Sequence, residues 1–387
     1  MQKKNTNVDI IILSRLGSSE GGRESWIYNF LPLYVDQSKH NFCLIGYRFN
    51  DESYDSSSFD QRFQSVQNKI KAEVLSSNRG KLPKFIYMRQ ELKRFLAQRN
   101  EKKVEILVCM GIFELFITAS LKQYKSAKKV VWLRGIFLHE KFYSIPRFLH
   151  PFFRWVEGRL LRSCDVVVSN GSDIKSYYQS LYGIDVEVIE NGIDIRRWKN
   201  KSIENSKNLK VAYIGRLSRE KGLDFFLEMV ERAKQLPFGE DIEFHIAGSG
   251  EYLSSKVQKF SELGWVTYHG TVHNEDMVEF LQEIDVCVAF TLAGDELGGG
   301  GTSNALFEQM ACEKIILAWD NKIFRQVLTR SNSFLVNEGS IVDLIQQLEY
   351  IFHYRATSIS RGKKARETVS IFSMESQIEK LKHVLED

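Results

Sequence analysis

Short apolar runs alternate with helix-patterned stretches along the whole chain, and the alternation stops and restarts once. Residues 8–13, 42–46, 104–109, 130–133, 166–169 and 186–189 are such runs in the first half. The turn Glu190-Asn191-Gly192-Ile193-Asp194 interrupts them, and residues 209–214, 242–247, 266–270, 286–290 and 315–318 resume the pattern. Short apolar runs bounded by glycine and polar clusters suit strands buried on both faces. Helices between successive strands imply parallel pairing through crossovers. The pattern predicts an α/β chain of two parallel-sheet domains, residues 1–190 and 191–368, with an amphipathic helix at 369–387. A length of 387 residues is long for one domain and agrees with two.

Between the strands, residues 50–83 are polar and serine-rich and read as an exposed insertion with a helix near 61–75; residues 113–121 read as another helix. Residues 137–161, FLHEKFYSIPRFLHPFFRWVEGRLL, interleave aromatics with Lys, Arg and His. That composition suits a surface segment touching a membrane or lipid-linked acceptor, and equally a helix packed on its own sheet.

No run of 18 apolar residues is present, which excludes a transmembrane helix of ordinary length. The start lacks a small-residue cleavage site and reads as a first strand rather than a signal peptide. Five scattered cysteines without a CxxC read as buried thiols in a reducing compartment, and the histidines show no zinc spacing. The net charge of +4 divides unevenly, +9 for residues 1–190 and −5 for the remainder, so the first half favours an anionic surface or substrate.

Chemistry concentrates in the second half. Gly298 to Gly301 are followed by Thr302, Ser303 and Asn304, good N-cap residues, and then by the helical stretch 305–312. A glycine-rich loop opening onto a helix N-terminus attracts anions, because the first amides lack intrahelical partners and the dipole is positive there. Arg216 and Lys221 follow a strand in the same presumed sheet, and parallel strands would bring all these loops to one edge. Arg216 offers a planar fork to phosphate oxygens, Lys221 a point charge. Glu308, about a turn inside the helix, would accept bonds from a ribose diol. Two phosphates and a ribose describe a nucleoside diphosphate. The same residues taken singly would also suit a capped helix beside a tight turn with solvated charges.

The segments NGID, GRLSREKGLDFFLE, FHIAGSGE and GGTSNALFEQMAC together resemble the retaining family 4 glycosyltransferases, the glycosyl transferases group 1, of GT-B fold. The resemblance spans about residues 8–385 and is strongest over 165–320. It implies two Rossmann-like domains facing across a cleft, with the acceptor on the first, the nucleotide sugar on the second and a C-terminal helix crossing back to the first. Arg216 and Lys221 would hold the donor diphosphate, and Glu308, matching the second acid of a Glu–seven residues–Glu motif, the ribose. Gly248, Gly300, Gly301, Thr302, Ser303, Asn304, Ala305 and Leu306 would line the donor site, with Gly21 and Gly22 beneath the diphosphate and His269 and Gly270 beside the base.

Two positions depart from the family pattern. Gly300 stands where the first acid belongs, leaving Asp295 or Glu296 to reach in. Arg134 replaces the histidine of a His-Gly pair after a strand of the first domain, with His139 nearby. Arginine does not serve as a base, so Arg134, His139 and Glu296 are read as acceptor-side residues. The resemblance further implies a UDP- or GDP-sugar donor and no cofactor or metal. The +9 half and the aromatic–basic segment point to a glycan or lipid-linked acceptor, to contact with an anionic membrane rather than nucleic acid, and to a cytoplasmic location at the inner membrane face. A catalytically impaired GT-B partner subunit and a nucleotide-sugar epimerase are the alternatives.

Overall fold

The computed structural model describes residues 9–16, 26–49, 63–64, 66–77, 84–98, 104–119, 121–137, 146–198, 208–250, 254–293 and 303–386. Its contacts divide the chain into two units: Met1–Glu190 with Ile378–Asp387, and Asn191–Gln377.

In the first unit, strands β1 (Ile10–Arg15), β2 (Phe42–Phe49), β3 (Lys71–Ser77), β4 (Ile106–Cys109), β5 (Lys128–Leu133), β6 (Val166–Ser169) and β7 (Glu187–Val188) form a parallel sheet in the order β3-β2-β1-β4-β5-β6-β7. Helices α1 (Leu31–Gln37), α2 (Lys84–Gln98), α3 (Ile112–Thr118), α4 (His150–Leu161) and α5 (Ser172–Tyr182) make the connections. The central strands are apolar at successive positions because both faces are covered. Ile11, Leu13, Cys43, Ile45, Leu107 and Val131 share one core cluster, while Ile10, Ile12, Leu44, Val108, Val130 and Trp132, pointing the other way, are buried as well. Trp132 meets Trp26 edge-on at 4.9 Å on that second face.

The second unit repeats the plan with β8 (Leu209–Ile214), β9 (Ile242–Ala247), β10 (Thr267–Tyr268), β11 (Val286–Ala289), β12 (Ile315–Trp319) and β13 (Phe334–Val336), ordered β10-β9-β8-β11-β12-β13. Its helices are α6 (Leu223–Ala233), α7 (Ser254–Glu262), α8 (Met277–Gln282), α9 (Asn304–Ala311), α10 (Ile341–His353), α11 (Arg355–Ser370) and the first part of α12 (Met374–Glu386). Helix α6 shows the logic. Leu223, Phe226, Leu227, Val230 and Ala233 recur at three- and four-residue spacing and are all buried. Each large side chain contributes roughly 2 kcal/mol of burial. Asp224 in the first turn and Arg232 in the last complement the helix dipole. Packing α6 on the sheet fixes the loop that precedes it.

Two expectations need correction. Residues 71–75 are not helical: they open β3, an edge strand paired with β2 from Cys43↔Lys71 to Phe49↔Ser77. The ladder to β2 outweighs the weak helical pattern of the polar segment. The tail is likewise not one helix from 369. Helix α11 ends at Ser370, and residues 371–373 form a break in which Ile193 donates to the Phe372 carbonyl at 3.0 Å and Met374 donates to that of Ile193 at 3.1 Å. Helix α12 then passes into the first unit, where Leu381 and Leu385 are buried and Lys380 pairs with Glu190 at 2.6 Å.

Candidate active site

In the second sheet, β8 has β9 on one side and β11 on the other, so the loops leaving β8 and β11 diverge at a topological switch point, where open α/β sheets bind ligands. Gly215 and Arg216 leave β8, and the loop is stitched to the one after β9. Gly215 donates to the Ala247 carbonyl and Leu217 to that of Ser249, both at 2.9 Å. Gly248, at φ 141, allows this approach, since a Cβ there would lie 1.8 Å from the Gly215 carbonyl oxygen. Gly248 also donates to the Gly270 carbonyl at 2.6 Å, tying in the loop after β10.

Arg216 is exposed, with Glu220 at 3.7 Å. Lys221 is half-buried, and its Nζ donates to Thr291 Oγ1, just past β11, at 3.4 Å. Burial holds its ammonium below the ordinary lysine range, the nearby Arg216 charge lowers it further, and Glu220 opposes both. The Ser218 hydroxyl between them is 7% exposed and has no hydrogen-bond partner among the described residues. The site therefore holds two cations and a spare donor at a strand end, which suits an anion.

Helix α9 starts where the sequence indicates. The Ser303 hydroxyl accepts from the Leu306 amide at 3.2 Å and caps the helix. That bond engages Leu306, so the first-turn amides without intrahelical acceptors are those of Asn304 and Ala305. Glu308 is partly buried and accepts from Asn274 Nδ2 at 3.4 Å. His269 donates its amide to the Ile246 carbonyl at 2.9 Å, and its ring nitrogen lies 3.0 Å from His245 Nδ1. Burial, then the neighbouring His269, lowers the His245 imidazole to about 4, and burial lowers His269 too. The structure thus gathers Arg216, Lys221, Gly248, His269, Gly270 and the α9 N-terminus at one sheet edge. Gly300, Gly301, Thr302, Asp295 and Glu296 lie outside the described residues.

In the first unit the switch point falls between β1 and β4. Glu114 of α3, 1% exposed, accepts from the Arg15 amide at 3.1 Å and from the Tyr47 hydroxyl at 2.9 Å. It fixes the end of β1, from which the glycine loop departs. Gly21, Gly22 and His139 lie outside the described residues. Arg134 follows β5 with its guanidinium 5.5 Å from the Trp132 ring. The loop beyond is held by a relay. The Phe137 amide donates to the Tyr178 hydroxyl at 3.2 Å, and Tyr178 donates to Glu157 at 3.2 Å. Tyr182 donates to the other Glu157 oxygen at 2.5 Å.

A family model described as glycosyl transferases group 1 matches residues 208–353, and one described as glycosyltransferase family 4 matches residues 33–197. The chain is a group 1, family 4 glycosyltransferase. Solved structures give its fold. HepE of Anabaena in complex with UDP is 17% identical and superposes with a TM-score of 0.76 over 98% of this chain and 100% of its own. Sucrose-phosphate synthase of Thermosynechococcus elongatus is 14% identical, with a TM-score of 0.76 over 97% and 98%. The lipopolysaccharide outer core galactosyltransferase WaaB is 17% identical, with a TM-score of 0.68 over 97% and 98%. No curated protein matches the chain in sequence. Both sheets of the glycosyltransferase are those of the GT-B fold.

Several residues that shape the site escape a sequence reading. Asn321 Nδ2 donates to the Thr291 carbonyl at 3.0 Å and to Glu338 at 2.6 Å, and Glu338 also accepts from the Ala293 amide at 3.1 Å. Together they hold the chain leaving β11. Asn274, Glu114 and Glu157 escape it likewise. The signal available for Glu114 was an acid inside an otherwise apolar helix, GIFELFIT; Glu157, in RWVEGRLL between two arginines, carries no such mark.

Glu157 gives the glycosyltransferase a testable pH dependence. Burial raises its carboxyl from 4.5 to about 7, against the two tyrosine hydrogen bonds, which lower it. A folded-state value above the unfolded one means that the stability this carboxyl contributes is fully present below pH 4.5 and is lost as pH rises through 7. The Glu157→Gln variant, neutral throughout, should lack that decline. Melting temperatures of both proteins across this window should diverge by the equivalent of roughly 3 kcal/mol. Parallel curves would show that Glu157 titrates normally. The lowered His245 acts in the opposite sense, costing stability as pH falls from 6.5 towards 4, and it cancels in the comparison.

Proposed function

We propose that this glycosyltransferase moves a sugar, with retention at the anomeric carbon, from a nucleoside diphosphate sugar to a glycan or lipid-linked acceptor in surface polysaccharide synthesis. The observation that carries the reading is the second-unit switch point, where Arg216, the half-buried Lys221 and the Ser303-capped N-terminus of α9 converge. UDP is the first donor nucleotide to test, since HepE was solved with UDP and with UDP-glucose. Two structural neighbours support the acceptor class, the lipopolysaccharide outer core galactosyltransferase WaaB and a TarM variant of S. aureus solved with Fondaparinux, α-GlcNAc-glycerol and UDP.

In this reading Arg216 and Lys221 neutralise the charge that grows on the leaving diphosphate, and the amides of Asn304 and Ala305 receive its oxygens. These cations occupy the role of a divalent metal, and no cofactor is called for. Glu308 holds the ribose, and Asn274 orients Glu308. A donor phosphate oxygen takes the acceptor proton, so no protein base is required. Arg134 anchors an acceptor phosphate or carboxylate. The setting proposed is the cytoplasmic face of a membrane; among the described residues no helix is long and apolar enough to cross one.

Melting curves with UDP, GDP, ADP, CMP and TDP, without metal, test the site. One diphosphate should stabilise the wild type, by about 2.7 kcal/mol at a hundredfold excess over its Kd, and leave Arg216→Ala unmoved. No shift with any of them would refute the donor site. Gly300, where the family pattern has an acid, favours a second reading, a catalytically impaired partner subunit. Nucleotide binding without transfer to any acceptor would support it.

A further inference from the structure

Helix α4 and the single 3₁₀ turn before it, Arg147–Leu149, carry aromatic side chains that the core does not use. Phe148 is 80% exposed, Phe152 56% and Trp155 60%. Spacings of four and three residues place them on one stripe, which Arg159 continues at a helical interval, while Arg162 turns away to donate to the Tyr182 carbonyl at 3.1 Å. The rings of Phe152 and Trp155 lie 6.2 Å apart, and the Arg159 guanidinium sits 5.7 Å from the Trp155 ring. Arg147 is exposed alongside, while the exposed Arg154 lies round the helix towards Glu157, whose carboxyl its charge lowers. The one acid of the helix, Glu157, is on the opposite side, 2% exposed and bonded to Tyr178 and Tyr182.

That opposite side fixes which way the helix faces. Glu157, Gly158 and Leu161 are its buried residues. A Cβ on Gly158 would come within 2.8 Å of the Tyr182 ring, so α4 and α5 pack with no room to spare there. Rotating the aromatics inward would expose Glu157 and separate this contact. The stripe is therefore a settled outer surface, apolar along its middle and cationic at its edges. Isolated exposed apolar residues are ordinary, but three large aromatics in one row mark an interaction site.

We propose that the outer face of α4 docks the first unit on an anionic lipid surface. Charge complementarity selects this partner: Arg147 and Arg159 flank the aromatic row, none of the described residues 147–161 is an exposed acid, and residues 1–190 carry +9. Trp155 and Phe152 enter the headgroup boundary, where amphipathic aromatic rings are favoured, while Arg147 and Arg159 meet lipid phosphates. The short length of α4 suits lying in the interface rather than spanning it. The proposal gives the membrane-borne acceptor reading a surface and does not depend on the donor site.

The test is cosedimentation of the full chain with vesicles of phosphatidylcholine alone and of phosphatidylcholine mixed with phosphatidylglycerol, without donor or acceptor. The wild type should pellet with the mixed vesicles only, and less so at high salt. Phe152→Ser with Trp155→Ser should lower partitioning at least about tenfold without changing the melting temperature, because neither ring is buried. Arg147→Glu with Arg159→Glu should lower it comparably. A wild type that stays in solution, equal pelleting with both vesicle types, or an aromatic double variant that pellets like wild type would each overturn the proposal. Vesicle-free self-association removed by the same double substitution, with no pelleting, would overturn it in favour of a second copy of the chain. Any of these results leaves transfer to a soluble acceptor standing.

Discussion

Lys221→Ala should lower the turnover of sugar transfer by on the order of 100-fold, the usual cost of removing one preorganised group aimed at developing negative charge. The argument starts from its surroundings. The ammonium is half-buried, its one described hydrogen bond is a long 3.4 Å contact to Thr291, and burial together with Arg216 disfavours its charged form. A cation held in that way contributes little to the fold, so the alanine variant should melt at or slightly above the wild-type temperature. Its use comes when an anion arrives and the desolvated charge gains a partner. A diphosphate that becomes a leaving group gains more from it than the bound ground state, so the loss should appear in kcat as well as in nucleotide affinity. Initial rates with the nucleotide sugar picked out by the melting curves decide the matter. A variant within about a factor of two of wild type would remove Lys221 from the mechanism.

The strands near each switch point were legible because burial on both faces writes them as apolar runs; β1 over residues 10–13, β4, β11 and β12 are unbroken, and β8 is interrupted only by Lys210. Edge strands carry no such mark. β3 alternates buried Ala72 with exposed Lys71 and partly exposed Glu73, and its identity comes from pairing with β2 rather than from its own composition. The break before α12 was hidden for a related reason. The helical pattern runs straight through residues 369–387, and what interrupts it is a backbone bridge between Ser373 and Ile193, far away in sequence. The site divides similarly. Arg216, Lys221, Ser303 and Asn304 act through local geometry, a strand end or a helix start, which a short motif records. Asn274, Asn321, Glu338 and Glu114 act on residues remote in the chain, and nothing in a single sequence pairs Asn274 with Glu308 or Tyr47 with Glu114.

The second large effect is expected at Gly248→Ala, which tests whether the donor site depends on the packing of two loops. The added Cβ would stand 1.8 Å from the Gly215 carbonyl oxygen, a backbone atom with no rotamer to change. A φ of 141 is also a conformation that alanine enters only at a cost of roughly 1–3 kcal/mol. Relief requires the loops after β8 and β9 to part, and their separation strains the 2.9 Å bonds Gly215–Ala247 and Leu217–Ser249 as well as the 2.6 Å bond from Gly248 to Gly270. With one such bond lost, the total reaches roughly 3 kcal/mol, or a fall in melting temperature of about 6–12 °C for a unit of this size. The same movement carries Arg216 and Lys221 out of register with the N-terminus of α9, so nucleotide binding should weaken at least about tenfold, as misplacement of positioned charges does. Ser249→Ala, at an exposed neighbouring position, is the control and should leave both quantities unchanged. A Gly248→Ala protein that melts within about 2 °C of wild type and keeps its nucleotide shift would show that the loops are not held by this contact, and the placement of the two cations would then need another cause.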